Sequence, residues 1–148
     1  MKISDALLED TELAARLRLA VTRLARRLRQ QADGEATPSQ LSALASVERL
    51  GPITLGELAA VERVQPPSMT RIVAGLEEAG LVNRTVDPKD RRIARVETTV
   101  AGQRFLERTR GRKNAYLAAR VGTMSAEDRA VLARAATLLE KLLDSESP

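Results

Sequence analysis

The chain has 148 residues, a formal net charge of +4 and a hydrophobic fraction of 43%, with neither cysteine nor histidine. These two absences exclude disulfides, thiol nucleophiles and cysteine-ligated metals, and they remove the commonest general base near neutral pH. The length suits one domain, and no stretch is apolar enough to span a membrane or to act as a signal peptide, so we expect a cytoplasmic protein without a cofactor.

The first predicted helix is amphipathic and strongly basic. Between residues 12 and 29, apolar residues recur at intervals of three and four, which indicates a single helical stripe. The other face carries six arginines: Arg16, Arg18, Arg23, Arg26, Arg27 and Arg29. Such a face is usually just solvated, although contact with DNA flanks or with anionic lipid is an alternative.

Two capping boxes, in which a threonine and the residue three positions later cap each other's backbone, predict the next two helices. The boxes are Thr37 with Gln40 and Thr54 with Glu57. Gly51 and Pro52 should end the first of these helices, and the second should be short and end near Val61.

A further helix is predicted over residues 66–79, with Gly80 as its left-handed cap. Together with the preceding short helix it forms either a plain helical hairpin or a helix-turn-helix. The small residue Ala59, surrounded by apolar positions, favours the tight crossing of a helix-turn-helix. The usual turn glycine is missing, since Arg63 occupies that region.

The second helix of this pair has a slim and mostly uncharged outer face. At 100° per residue, one side collects four apolar residues: Met69, Ile72, Val73 and Leu76. The opposite side consists of Pro67, Arg71, Ala74 and Glu78, flanked by Thr70 and Gly75. A helix that enters the major groove benefits from small residues, and its early positions reach base edges.

We therefore predict that four early residues of this helix contact DNA: Pro67, Ser68, Thr70 and Arg71. Arginine is the best bidentate reader of guanine, so Arg71 is the main candidate for reading sequence. The alternative for Arg71 alone is an ordinary solvated side chain.

A β-hairpin with a charged tip is predicted next, with strands over residues 81–86 and 93–98. Asp87 followed by Pro88 favours a type I turn. Between residues 81 and 95 the basic side chains outnumber the acidic ones by five to two. Four tip residues are predicted DNA contacts: Lys89, Asp90, Arg91 and Arg92. An arginine here could enter the minor groove, Lys89 would touch phosphate, and Asp90 would hold a neighbouring arginine. A charged tip can also be merely a solubility feature.

Helical periodicity returns after Thr99 and again after Ser125, which caps the last predicted helix. The last helix carries a long apolar stripe: Val131, Leu132, Ala135, Leu138, Leu139, Leu142 and Leu143. Since the first and last helices both carry such stripes, a monomer would leave leucine surface exposed. Leucine surface of this kind favours burial against another surface.

Over residues 13 to about 143, the chain resembles the MarR family of bacterial regulators. Residues 68–73 and 76–84 are similar to that family's recognition helix and first wing strand. Five residues match its wing motif: Asp90, Arg92, Val96, Thr99 and Gly102. Thr98 stands where the family usually has leucine.

The resemblance implies a mainly α fold with a small β-hairpin wing. Residues 37–99 would form the winged helix-turn-helix, and residues 1–36 with 100–148 a helical dimerisation region of the same continuous domain. It further implies a homodimer on a pseudo-palindromic operator in double-stranded DNA, and a regulator, usually a repressor, that a small ligand releases. Without Cys or His, oxidant and metal sensing by the family's usual routes are closed, so the expected effector is a small organic molecule.

Two other functions fit parts of the sequence. A winged-helix protein-interaction module would use the same surfaces to bind a protein, with little salt dependence. An enzyme that relies on carboxylates alone requires acids with a raised pKa in a cleft. The helical acids Glu77, Glu78 and Asp128 instead occupy solvent-facing positions. We therefore predict a sequence-specific DNA-binding regulator with no catalytic activity and no membrane partner.

Overall fold

The computed structural model describes residues 2–32 and 36–145, and it confirms a mainly helical fold with a small antiparallel sheet. The elements in chain order are α1 (Lys2–Gln30), α2 (Pro38–Leu50), β1 (Ile53–Thr54), α3 (Leu55–Glu62), α4 (Pro66–Glu78), β2 (Val82–Val86), β3 (Ala94–Thr98), α5 (Val100–Val121) and α6 (Ala126–Asp144). The chain divides into two compact units, Met1–Lys113 and Asn114–Pro148, with the boundary inside α5.

Helix α1 begins at Lys2, ten residues before the apolar stripe suggested. Residues 6–9 are Ala, Leu, Leu and Glu, all good helix formers, but they do not continue the stripe's spacing. Propensity therefore extends this helix beyond the region that periodicity could detect.

Both predicted capping boxes are present. The Thr37 and Thr54 hydroxyl oxygens each accept a hydrogen bond at 3.2 Å from the backbone N–H three residues on. In return, the side chains of Gln40 and Glu57 accept from the threonine backbone N–H groups at 2.9 and 3.0 Å. The backbone N–H of Thr54 is the main reason why the pKa of Glu57 lies below its usual value. The starts of α2 and α3 are thus specified locally.

The wing is a three-stranded sheet in the order β1-β3-β2, rather than the two-stranded hairpin that was predicted. Strands β2 and β3 pair from Val82 opposite Thr98 to Val86 opposite Ala94. Strand β1 adds the pair Ile53 and Val96. Two residues are too few to show a period of two, so the sequence could not reveal β1. Its pairing attaches the wing to the helical part of the unit.

The core lies among α2, α3, α4 and the sheet. Its largest fully buried side chains are Leu44, Val47, Leu58, Met69, Val73, Leu76, Val82 and Val96. Met69, Val73 and Leu76 lie on the face of α4 that the helical wheel assigned to the interior. The opposite face of α4 is consequently turned to solvent.

The junction between the wing and α5 explains three residues of the motif. Val96 is fully buried. The Thr99 hydroxyl donates to the Gly80 carbonyl at 2.6 Å and accepts from the Gly102 N–H at 3.0 Å. A Cβ atom at Gly102 would overlap the carbonyl oxygen of Leu81, so the close approach of α5 to this segment requires glycine.

Thr98, which departs from the family pattern, is imperfectly accommodated. Its Oγ1 atom is buried and has no hydrogen-bond partner among the described residues. A buried hydroxyl without a partner is destabilising, and leucine would not have this defect.

The terminal helices contrast with the core. Helix α6 has no buried residue, and several of its stripe residues are more than half exposed: Val131, Leu138, Leu142 and Leu143. Helix α1 likewise exposes Leu7, Leu8 and Leu13. None of the helices in residues 2–32 and 36–145 is long and apolar enough to cross a membrane.

Candidate nucleic-acid interface

The first two turns of α4 present the predicted contact residues on an accessible surface. Pro67, Thr70 and Arg71 are exposed, and Ser68 is half-buried. Gly75, expected to flank this surface, is half-buried and lies against the Gln40 side chain of α2. Packing against α2 therefore partly buries Gly75, at the edge of the outer face.

Arg71 and Thr70 differ in what they can offer a ligand. Arg71 makes no ion pair or side-chain hydrogen bond with the described residues, so its guanidinium donors are available. The Thr70 hydroxyl donates to the Pro66 carbonyl at 3.0 Å. Arg71 is also the one basic residue in the α4 sequence, so this face has a single strong donor among small side chains.

Arg63 replaces the missing turn glycine by adopting the conformation that glycine would have. Its φ and ψ are 53° and 44°, and its N–H caps α3 by donating to the carbonyls of Ala59 and Ala60. This left-handed geometry costs a non-glycine residue about 1–2 kcal/mol. Its neighbour Glu62 accepts hydrogen bonds from Ser42, at 2.6 Å, and from Ser46. These bonds fasten the end of α3 to α2, so the turn keeps its shape without glycine.

The tip of the wing holds one arginine in a fixed pose. Asp90 accepts two hydrogen bonds of 3.0 Å from Nε and Nη2 of Arg92. It accepts a third, of 3.1 Å, from the backbone N–H of Arg92. The Arg92 side chain nevertheless remains 91% exposed. Asp90 therefore holds a neighbouring arginine, as the sequence indicated, and leaves it projecting into solvent.

This pairing also shifts the pKa values of both partners. The Arg92 side chain and backbone N–H lower the pKa of Asp90, and Asp90 raises the pKa of Arg92. Because the pKa of the Asp90 carboxyl is lowered on folding, the ion pair is fully formed at every pH above the ordinary pKa range of Asp. It is lost only as pH falls through the lowered folded-state pKa. The Asp90–Arg92 pair is therefore intact at neutral pH.

Two other basic residues of the wing are neutralised locally. Arg95 Nη1 lies 2.8 Å from Asp87 Oδ2, and Arg84 Nε lies 3.2 Å from Glu77 Oε2. The Lys89 backbone N–H and then the Arg95 side chain lower the pKa of Asp87. Charge counting along the sequence could not find these pairs, because they depend on strand register and on the placement of β2 beside α4.

The accessible positive charge of the wing is therefore concentrated at its tip. Lys89 and Arg91 are exposed and make no side-chain ion pair with the described residues. The Glu77–Arg84 pair joins the end of α4 to β2. Helix and wing thus form one connected surface with donors at two places. In the described ranges, no group of three or more acidic, His or Cys side chains could hold a metal ion.

A tight helix pair whose second helix has an exposed slim face, followed by a small sheet with a cationic tip, defines a winged helix-turn-helix protein. The sequence model of the MarR family matches residues 36–94.

An HTH-type transcriptional regulator from Mycobacterium leprae is 41% identical over 94% of this chain and 97% of its own length. The HTH-type transcriptional repressor MdtR from Bacillus subtilis is 31% identical over 76% of this chain and 73% of its own. A solved transcriptional regulator from Pseudomonas aeruginosa superposes with a TM-score of 0.82 at 36% identity, covering 95% of this chain and 98% of that one. The chain belongs to the MarR family. It is a transcriptional regulator and not an enzyme.

Proposed function

We propose that this protein is a cytoplasmic homodimeric repressor that binds a pseudo-palindromic operator in double-stranded DNA. The observation that carries the proposal is the unpaired Arg71 on an exposed, slim face of α4, in the same unit as a cationic wing tip. Regulators of the MarR family bind DNA as dimers. The name of the Bacillus subtilis relative supports repression.

In this proposal α4 enters the major groove, which is about 12 Å wide. Pro67, Ser68 and Thr70 are small enough to let the helix approach the base edges closely. Arg71 then donates two hydrogen bonds to O6 and N7 of a guanine, which is the commonest specific contact of an arginine. Arg71 therefore supplies sequence selection.

The wing tip contacts the DNA beside the helix. Arg92 enters the minor groove, where negative potential is concentrated, and Asp90 holds it in position beforehand. Because the side chain is already ordered, less conformational entropy is lost on binding. Lys89 and Arg91 contact phosphates, which adds affinity without reading sequence.

The dimer forms through the terminal helices, with residues 1–36 and 100–148 as the dimerisation region and residues 37–99 as the DNA-binding region. The support is the exposed leucine surface of α1 and α6, which a second copy would cover. A two-fold dimer presents two copies of α4, so we expect half-sites about one helical turn apart.

A crevice of about 250 Å³ in the first unit is suited to a small organic effector. Its lining includes the apolar residues Leu41, Ala45 and Leu106 and the basic residues Arg29 and Lys113. Such a lining favours an organic anion with an apolar body. A ligand there would contact α1, α2 and α5, and a shift of α2 against α4 would move the recognition helix.

The experiment that tests DNA binding is a titration of an operator, selected from random duplexes, at two salt concentrations. A protein that neutralises several phosphates loses affinity steeply with salt. We expect Arg71→Ala to cost about 1–3 kcal/mol and to relax sequence choice. Arg92→Ala should weaken binding most at sites flanked by A·T pairs. The control is Arg49→Ala, an exposed arginine on α2 to which no role is assigned.

Weak binding to every duplex, with little dependence on salt, would contradict the proposal and favour the protein-interaction module. If both Arg71→Ala and Arg92→Ala bound the selected operator like the parent, the assigned roles would be wrong even with DNA binding intact.

A further inference from the structure

The hydroxyl group of Thr70, its only side-chain hydrogen-bond donor, is already used in a hydrogen bond within α4. The hydroxyl proton points to the Pro66 carbonyl, at an oxygen–oxygen distance of 3.0 Å, although the residue is exposed. Threonine has two branches at Cβ, and staggered geometry sets them roughly 120° apart. With the oxygen held against the helix backbone, the Cγ2 methyl group is the branch that is directed away from it.

The surroundings of Thr70 are also apolar and small. Pro67 and Ala74, three residues before and four residues after it, are its neighbours along the helix surface, and both are exposed. Neither carries a hydrogen-bonding side chain. Beside Arg71, this part of α4 therefore offers methyl and ring carbon atoms to a ligand.

We infer that Thr70 selects thymine in the operator through contact between its Cγ2 methyl group and the thymine C5 methyl group. The inference rests on the proposed function, since it assumes that α4 lies in the major groove. Of the four standard bases, thymine alone presents a methyl group there. The selected thymine lies in the same half-site as the guanine that Arg71 contacts, because both side chains belong to the first two turns of α4.

A hydroxyl-mediated reading makes the opposite prediction. The Thr70 oxygen keeps lone pairs that could accept a hydrogen bond from the amino group of cytosine or adenine. That oxygen is already bonded to the Pro66 carbonyl, whereas the methyl group has no such partner. A pair of variants separates the two readings: Thr70→Val keeps a methyl group and loses the hydroxyl, and Thr70→Ser does the reverse.

The experiment replaces the thymines of the selected operator one at a time with deoxyuridine, which lacks only the C5 methyl group. We expect one position in a half-site at which uracil weakens binding of the parent about fourfold, the effect of one buried methyl group. Thr70→Val should retain this loss. Thr70→Ser should bind the thymine operator about fourfold more weakly and lose nothing further with uracil at that position. Thermal melting of each variant checks that the fold is unchanged.

The outcomes distinguish this inference from the function on which it rests. Failure of the parent to bind any duplex in a salt-dependent and sequence-selective way overturns both. Selective binding in which Thr70→Ser and the parent lose equally at every uracil overturns only the role of Thr70. A large loss for Thr70→Val with none for Thr70→Ser assigns the reading to the hydroxyl and also overturns the inference.

Discussion

The proposed DNA-binding region, residues 37–99, and the terminal helices use similar aliphatic residues with opposite results. Leu44, Leu58 and Val96 in the first region are fully buried by their own chain. In α6, Leu138 is 52% exposed and Leu143 is 71% exposed. In the sequence, the apolar stripes of both regions show the same helical spacing. Among these stripes, only those of the first region are fully buried within one chain.

The difference indicates which part of the molecule is complete by itself. Burying a leucine side chain contributes about 1.5–3 kcal/mol, so the exposed leucines represent stabilisation that one chain leaves unused. A second copy, which carries the same stripes, supplies a symmetric way to use it. The comparison therefore predicts that substitutions in the two regions will change different measured quantities.

The largest effect is expected at the terminal helices. The double substitution Leu138→Asp with Leu142→Asp removes four leucines from a two-fold dimer. Because one chain already covers about half of each side chain, each contributes roughly 1 kcal/mol, and their loss should raise the dimer dissociation constant about a thousandfold. Sedimentation equilibrium measures this constant directly.

The matched control for this variant is Val86→Asp in the wing, where the parent valine is 49% exposed. It should leave the dimer intact, because the wing lies outside the proposed dimerisation region. A double variant that remains dimeric, or a control that dissociates, would break the comparison.

The next effect is expected at the junction of wing and α5, where two glycines of one helix should respond with opposite signs. Gly102→Ala forces a Cβ into the Leu81 carbonyl, so the free energy of unfolding should fall by about 1–3 kcal/mol. Gly111→Ala meets no neighbouring atom and should raise it by about 0.5–1 kcal/mol. Urea unfolding at one fixed protein concentration measures both. Equal shifts would show that α5 does not approach Leu81 closely.

The smallest effect is expected at Thr98, whose hydroxyl oxygen is buried without a hydrogen-bond partner among the described residues. Thr98→Val removes a buried hydroxyl that has no partner among the described residues, and it keeps the shape of the side chain. We expect the free energy of unfolding to rise by about 1 kcal/mol. Thr85→Val, at an exposed position of β2, is the control and should change little. A loss of stability in Thr98→Val would reveal that the hydroxyl does have a partner.

Local chemistry made much of the fold predictable. Capping boxes depend on residues three positions apart, and the left-handed cap at Gly80, with a φ of 72°, depends on one glycine. The helical wheel identified the interior of α4 because burial there follows the helical period. It could not show that Gly75 lies against Gln40, since the position of Gln40 on α2 decides what a residue at the edge of the stripe meets.

The candidate interface was only partly predictable. The Asp90–Arg92 pair spans two residues and could be anticipated, whereas the ion pairs of Arg84 and Arg95 join positions seven and eight residues apart. Those pairs need the strand register and the contact of β2 with α4. The sequence therefore overstated how much of the basic charge of the wing is accessible.

The sequence alone predicts a mainly helical winged helix-turn-helix chain. It also predicts that Arg71 lies on the outer face of α4 and that the tip of the hairpin is basic. Those properties depend on residues within about two helical turns of one another. Tertiary structure decided the third strand, the attachment of the end of α3 to α2 through Glu62, and the set of arginines that stay unpaired. Each of these depends on which groups distant segments bring within hydrogen-bonding or van der Waals distance, and periodicity contains no such distances.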